Sequence, residues 1–148
     1  MLKKDSKIVF HALMVARKHH LTQIDDEGKP YMDHIWSVYN ILSSVCNDEE
    51  VLAAALLHDI IEDTDYTQED LLNNFGQRVH DLVMEVTQEG KADNHGFYFP
   101  RLHSKEGIMI KFADRLSNLT RMGSWDPERV EHYLKRSKFW KSEPKNSQ

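Results

Sequence analysis

Between Val51 and Ile61 nine of eleven residues are apolar. At helical spacing Val51, Leu52, Ala53, Ala54, Ala55, Leu56, Leu57, Ile60 and Ile61 cover nearly the whole circumference, the mark of a helix buried on every side. Only His58 and Asp59 interrupt that coat. A carboxylate so placed costs several kcal/mol unless it is paired, hydrogen-bonded or bound to a cation. From Asp48 to Asp70 the chain carries nine carboxylates and no Lys or Arg. No cationic side chain is near in sequence, and a metal ion is the economical partner.

The rest of the chain supplies the elements to wrap such a helix. Apolar residues recur at helical spacing almost throughout, and no segment alternates as a half-buried strand does. The pattern predicts an all-α fold, one bundle of about seven helices occupying residues 1–148. Ser6 can cap a first helix to about His20, and Thr22 to Gly28 reads as a turn. A second helix begins near Pro30, with Tyr31, Ile35, Val38, Tyr39, Leu42 and Val45 on its core face. Asn47 and Glu50 resemble a capping box for the third, Glu49 to about Glu62. Thr67 begins a fourth, Gly76 breaks it, and Val79, Leu82, Val83 and Val86 stripe a fifth. Residues 90–103, with Phe97-Tyr98-Phe99, read as a loop whose aromatics are satellites of the core. Ser104 starts a long helix through Met122, Asp126-Pro127-Glu128 starts a last one with a solvated basic face, and residues 142–148 should fray.

Charge and length exclude several roles. At 148 residues with 40% hydrophobic content, the chain fits one domain with one core. Five bases and one acid lie in residues 1–20, and six bases and three acids in 128–148, leaving the middle net minus twelve. Nucleic-acid binding needs a basic footprint that this middle lacks. The longest apolar run, Val51 to Leu57, is far short of the roughly twenty residues that span a bilayer. The N-terminus does not read as a secretory leader. Cys46 stands alone, which excludes an internal disulfide and suits the cytoplasm.

Further polar residues fall on apolar faces elsewhere. Residues four apart share a helix face, so His58 sits over Glu62 and Asp59 over Asp63. Asp114 lies on a helix where Ile108, Met109, Phe112, Ala113, Leu116, Leu119 and Met122 are expected to face the core. Lys111, Ser117 and Asn118 share its polar stripe, a set suited to a phosphate beside a metal. His34 falls between Tyr31 and Val38 and should point inward as a second nitrogen donor. Two imidazoles and two carboxylates suit Mn²⁺, Fe²⁺ or Zn²⁺ and leave positions open to water. Such an ion lowers the pKa of bound water to about 7 and polarises a phosphoryl oxygen, which suits phosphate-ester hydrolysis. His19, His20, His80, His95, His103 and His132 show no ligand-like pairing, and Arg115 reads as an ion-pair partner.

The order His34, His58-Asp59, Asp114 resembles the H…HD…D signature of HD-domain metal-dependent phosphohydrolases. Lys29-Pro30-Tyr31-Met32-Asp33-His34, Ala54 to Thr64 with its Glu62-Asp63-Thr64, Phe75-Gly76 with Val86-Thr87, and Lys111 to Asn118 together resemble the alarmone hydrolase branch. The likeness spans roughly residues 8–122 and covers Rel/SpoT-type hydrolase domains and small stand-alone alarmone hydrolases. It implies a helical, typically manganese-dependent enzyme that removes the 3′-diphosphate from guanosine or adenosine alarmones. His34, His58, Asp59 and Asp114 would then be metal ligands, with Glu62 and Asp63 orienting or activating water. Tyr31, Lys111 and Asn118 would contact the nucleotide.

The sequence departs from that family at several places. Asp25-Asp26 stand where an Arg-Lys pair is common, so the stacking of Arg on the purine is missing. An Asp could instead accept hydrogen bonds from the base. Ile35 replaces a usual Pro, Thr120 a usual Arg, and Trp140 lies near a usual Tyr. Another nucleotide substrate, such as a dNTP, a nucleoside monophosphate or NADPH, stays open, as does a non-catalytic alarmone-binding or antitoxin module.

Overall fold

A computed structural model describes residues 6–25, 27–87, 102–120 and 127–128. Seven helices are found there: α1 (Lys7–His19), α2 (Met32–Ser43), α3 (Glu49–Leu56), α4 (Ile60–Asp63), α5 (Gln68–Phe75), α6 (Gln77–Val86) and α7 (Lys105–Leu119). Among the described residues the only β pairing is an isolated antiparallel bridge between Ile24 and Pro30 in the α1–α2 turn. The all-α expectation holds. No described helix is long and apolar enough to cross a membrane.

The helix starts follow from side chains that satisfy free backbone N–H groups. Ser6 Oγ accepts from Val9 N, and Ser104 Oγ accepts from Gly107 N. Thr67 and Asp70 form a reciprocal capping box on α5. At α3 the cap is Asp48, one residue beyond the expected Asn47, because its carboxylate reaches both Glu50 N and Val51 N. Gly76 separates α5 from α6 at a φ of 91°, a conformation that Gly adopts at little cost.

Helix α3 is the axis. It packs against α1, α2, α6 and α7, while α2 and α7 pack on each other. Every residue from Val51 to His58 is buried, as the all-round apolar coat requires. Around it gather Val9, Ala12 and Ala16 of α1, Ile35, Val38, Tyr39 and Leu42 of α2, and Val79, Leu82, Val83 and Val86 of α6.

Three further expectations are corrected. The third helix is not continuous to Glu62: it stops at Leu56, and Leu57 and Asp59 take φ near −105° and ψ near 5° before α4 resumes at Ile60. Val45 lies beyond α2 and is 73% exposed. On α7, Phe112, Leu116 and Leu119 are exposed rather than in the core, whereas Lys111, Asp114 and Ser117 are buried. The polar stripe faces inward because α7 must meet His34 and His58 of its neighbours. Pro127 and Glu128 are helical as expected. Asp126, the remainder of the last helix, Phe97-Tyr98-Phe99, Arg121, Met122, Trp140, His95, His132 and the tail 142–148 lie outside the described residues.

A candidate metal centre at the break between α3 and α4

The break sets the geometry. Adjacent residues of a continuous helix point about 100° apart, yet here His58 Nε2 lies 3.0 Å from Asp59 Oδ2. Asp114 Oδ1 on α7 is 3.4 Å from the same nitrogen and 3.0 Å from His34 Nε2 of α2. His34 Nε2 stands 3.9 Å from Asp59 Oδ2. One ligand atom from each of His34, His58, Asp59 and Asp114 lies within 4.8 Å of all the others. Bonds of about 2.1 Å from one centre put ligand atoms about 3.0 to 4.2 Å apart, and the four imidazole–carboxylate distances, 3.0 to 3.9 Å, fall in that range.

Both imidazoles turn Nε2 to this spot. His58 Nδ1 donates to the Ala55 carbonyl at 2.7 Å, so in the neutral ring Nε2 carries no proton. His34 Nδ1 stands 2.9 Å from Ser117 Oγ, which turns its Nε2 toward Asp114 Oδ1 at 3.0 Å. Such outer bonds fix the tautomer of metal-ligating histidines. His58 Nε2 is wholly buried and finds no partner in hydrogen-bonding geometry among the described residues, although a carboxylate oxygen is 3.0 Å away. A lone pair facing carboxylate oxygens is repelled unless a cation or a proton lies between them. The donor set therefore fits a divalent ion.

Electrostatics agree. Burial opposes charge on His58, but Asp59 and Asp114 hold its pKa well above the ordinary imidazole value. Burial likewise opposes ionisation of Asp59 and Asp114; His58 pulls Asp59 down, and Lys111 with the two imidazoles holds Asp114 well below the usual carboxylate range. These four groups favour the charged carboxylates and a positive centre among them.

The other expected site residues surround this cluster. Tyr31, at the start of α2, donates its hydroxyl to Asp59 Oδ2, and burial with Asp59 nearby raises its pKa, so the group stays a donor. Lys111 is buried with Nζ 3.1 Å from Asp114 Oδ2, and Arg115 Nη1 is 3.8 Å from the same oxygen, the ion-pair role expected of it. Asn118 is half-buried one turn beyond Asp114. Glu62 and Asp63 are exposed at the end of α4 and are not among the four clustered ligands. Asp63 Oδ2 accepts from Gln23 Nε2 at 3.2 Å, and its pKa is raised by partial burial and by Asp59.

Sequence reasoning placed Ser117 on the polar stripe but missed that it orients His34. It had no means to find the Ala55 carbonyl, a backbone group. It also left His20 and Gln23 unassigned, although Gln23 reaches Asp63. Asp25 Oδ1 accepts from Glu27 N at 2.8 Å and Lys29 N at 2.9 Å, so that oxygen shapes its own turn. Asp26 lies outside the described residues. Thr120, at the position of a usual Arg, donates its hydroxyl to the Ser117 carbonyl.

Comparison with known proteins agrees with this arrangement. A family model described as HD domain matches residues 12–95. The chain is 35% identical over 127 residues to a guanosine-3′,5′-bis(diphosphate) 3′-pyrophosphohydrolase of Haemophilus influenzae, covering 78% of this chain and 19% of that protein. It is 36% identical over 129 residues to the bifunctional (p)ppGpp synthase/hydrolase SpoT of Escherichia coli K12, covering 80% and 18%. The chain thus spans about a fifth of the length of these bacterial relatives. With guanosine-3′,5′-bis(diphosphate) 3′-pyrophosphohydrolase MESH1 of Xenopus tropicalis it shares 33% identity over 156 residues, covering 96% of this chain and 85% of that one. A solved structure of a metazoan ortholog of SpoT, described as hydrolysing ppGpp, superposes with a TM-score of 0.78 at 34% identity, covering 93% of this chain and 85% of that chain.

Proposed function

This chain belongs to the HD-domain family, in its alarmone hydrolase branch, and from that premise we propose that it removes the 3′-diphosphate from guanosine or adenosine alarmones in the cytoplasm, using manganese. The observation that carries the reading is the orphaned Nε2 of His58, locked by the Ala55 carbonyl to face two carboxylates. His34, His58, Asp59 and Asp114 would hold the ion. When bound, a divalent cation neutralises charge on the phosphoryl oxygens and acidifies a water at the site.

The protein's own groups manage position and protons. Lys111 holds Asp114 by Oδ2, which leaves Oδ1 turned to the two imidazoles, and the Tyr31 hydroxyl steadies Asp59 at Oδ2, the oxygen that itself faces the centre. Water adds to the phosphorus bonded to the ribose 3′ oxygen, that P–O bond breaks, and pyrophosphate leaves. Glu62 and Asp63, at the exposed end of α4, take the proton that the water gives up; the ribose oxygen regains one and the nucleoside 5′-diphosphate is complete. A general base works best with a pKa moved toward the working pH, and the upward shift of Asp63 is in that direction. Tyr31, Asn118 and Lys111, the last from its buried place beside Asp114, are the nucleotide contacts in this reading.

The test is purified protein with Mn²⁺ and either guanosine or adenosine 3′,5′-bis(diphosphate). Pyrophosphate with GDP or ADP is the expected product pair, and no pyrophosphate from either would reject the substrate class. Asp25 and Asp26, standing where an Arg-Lys pair is common, support a second reading, in which the same chemistry serves another nucleotide. A panel of dNTPs, nucleoside monophosphates and NADPH with product identification separates the two.

A further inference from the structure

His20 is 1% exposed, and its Nε2 finds no hydrogen-bond partner among the described residues. Burying an imidazole nitrogen without a partner is costly, so the other nitrogen should matter. It does make a bond: Nδ1 lies 2.8 Å from Gln23 Oε1. Gln23 Nε2 in turn donates to Asp63 Oδ2 at 3.2 Å. A carboxylate can only accept, so the amide must present its NH₂ to Asp63 and its carbonyl to His20. His20 must then donate from Nδ1, and the bare Nε2 follows from that choice.

The backbone of Gln23 is held as firmly as its side chain. Its N–H donates to the His20 carbonyl at 3.0 Å and its carbonyl accepts from Tyr31 N at 2.9 Å. A closed circuit results. The Tyr31 hydroxyl donates to Asp59, Asp63 N donates to the Asp59 carbonyl, Asp63 accepts from the Gln23 side chain, and Gln23 accepts from Tyr31 N. The metal-facing carboxylate and the exposed carboxylate of α4 are thereby tied to one loop residue.

We propose that Gln23, oriented by His20, is a positioning residue that holds the Asp63 carboxylate in place for the water-handling step. The proposal rests on the role given to Asp63 above. Without the amide donor, Asp63 at an exposed helix end would sample several rotamers, and a misplaced base loses rate rather than affinity.

The experiment compares Gln23→Met, His20→Leu and His20→Asn, alone and with Asp63→Asn, using Mn²⁺ and the better alarmone substrate. Gln23→Met should lower kcat about tenfold or more, with KM within about threefold and manganese content unchanged. His20→Leu should do the same, while His20→Asn, whose amide NH₂ can donate to Gln23, should restore kcat to within about threefold of wild type. The Gln23 side-chain amide, followed by NMR, should lose protection from exchange in His20→Leu and keep it in His20→Asn. In the Asp63→Asn background Gln23→Met should add no further loss. Wild-type kcat in Gln23→Met while Asp63→Asn is inactive overturns this inference alone, as does an equal loss in both backgrounds. An active Asp63→Asn overturns the role of Asp63 itself. His20 is in the core, so if His20→Leu fails to fold, the half-buried loop residue Gln23 still decides the matter.

Discussion

Lys111 Nζ lies 3.1 Å from Asp114 Oδ2, with both side chains almost wholly enclosed. Breaking a buried pair by removing one partner leaves an uncompensated charge and costs about 3–5 kcal/mol. Lys111→Met should therefore destabilise the chelator-treated protein by about that amount in denaturant unfolding. Added Mn²⁺ should recover part of the loss, since a cation at the cluster also offsets Asp114. A variant as stable as wild type in chelator would show that Lys111 does not balance Asp114.

The pKa directions give the sign of pH effects. His58 is raised on folding, so its contribution is complete below its unfolded value, about 6.5, and is lost as pH rises through the folded value. Asp59 and Asp114 are lowered, so theirs is present above about 3.9 and lost only as pH falls through their depressed values. Without metal, stability should fall on the alkaline side as well as in strong acid. A metal must displace the His58 proton, so Mn²⁺ binding at neutral pH should release about one proton and tighten as pH rises. Calorimetry in buffers of different ionisation enthalpy reads the number, and no proton release would contradict a protonated His58.

Glu62→Gln and Asp63→Asn remove the proposed proton acceptors without touching the four clustered ligands. Each should keep manganese and lose about 10²- to 10⁴-fold in kcat. Elemental analysis beside a pyrophosphate assay checks both halves. Loss of metal in either variant would move that carboxylate into the ligand set.

Gly107 illustrates a glycine required by its neighbour. Gly107 is in the first turn of α7, and replacing a helical Gly by Ala ordinarily stabilises by up to about 1 kcal/mol. Here a Cβ would stand 2.2 Å from Glu85 Oε2, and Glu85 is buried with its carboxylate accepting from His103 N, Ser104 N and Ser104 Oγ. Those bonds hold the start of α7, and with it the approach of Asp114. Gly107→Ala should destabilise by about 1–3 kcal/mol in thermal or denaturant unfolding, the overpacking range.

The parts of this fold that were legible in the sequence are those set by local spacing. Val51 to Leu57 announces a buried helix, and Ser6, Thr67 and Ser104 announce helix starts, because each needs only near neighbours. His34, His58, Asp59 and Asp114 stand out because polar residues on apolar faces need partners. The break at Leu57–Asp59 was not legible: nothing in an apolar run says that the helix must stop so that two adjacent side chains can meet. The inward polar face of α7 was hidden for a related reason, since hydrophobic spacing favours Phe112, Leu116 and Leu119 until the partners on α2 and α3 are known. His20 and Gln23 escaped notice because their target, Asp63, is forty residues beyond Gln23.

The central claim is that these four side chains share a divalent ion, and metal stoichiometry tests it most directly. Wild-type protein loaded with Mn²⁺ and desalted should hold about one ion per chain by elemental analysis, and a folded His58→Ala variant should hold essentially none. Wild-type protein that retains no metal, or a His58→Ala variant that retains the full complement, would contradict it.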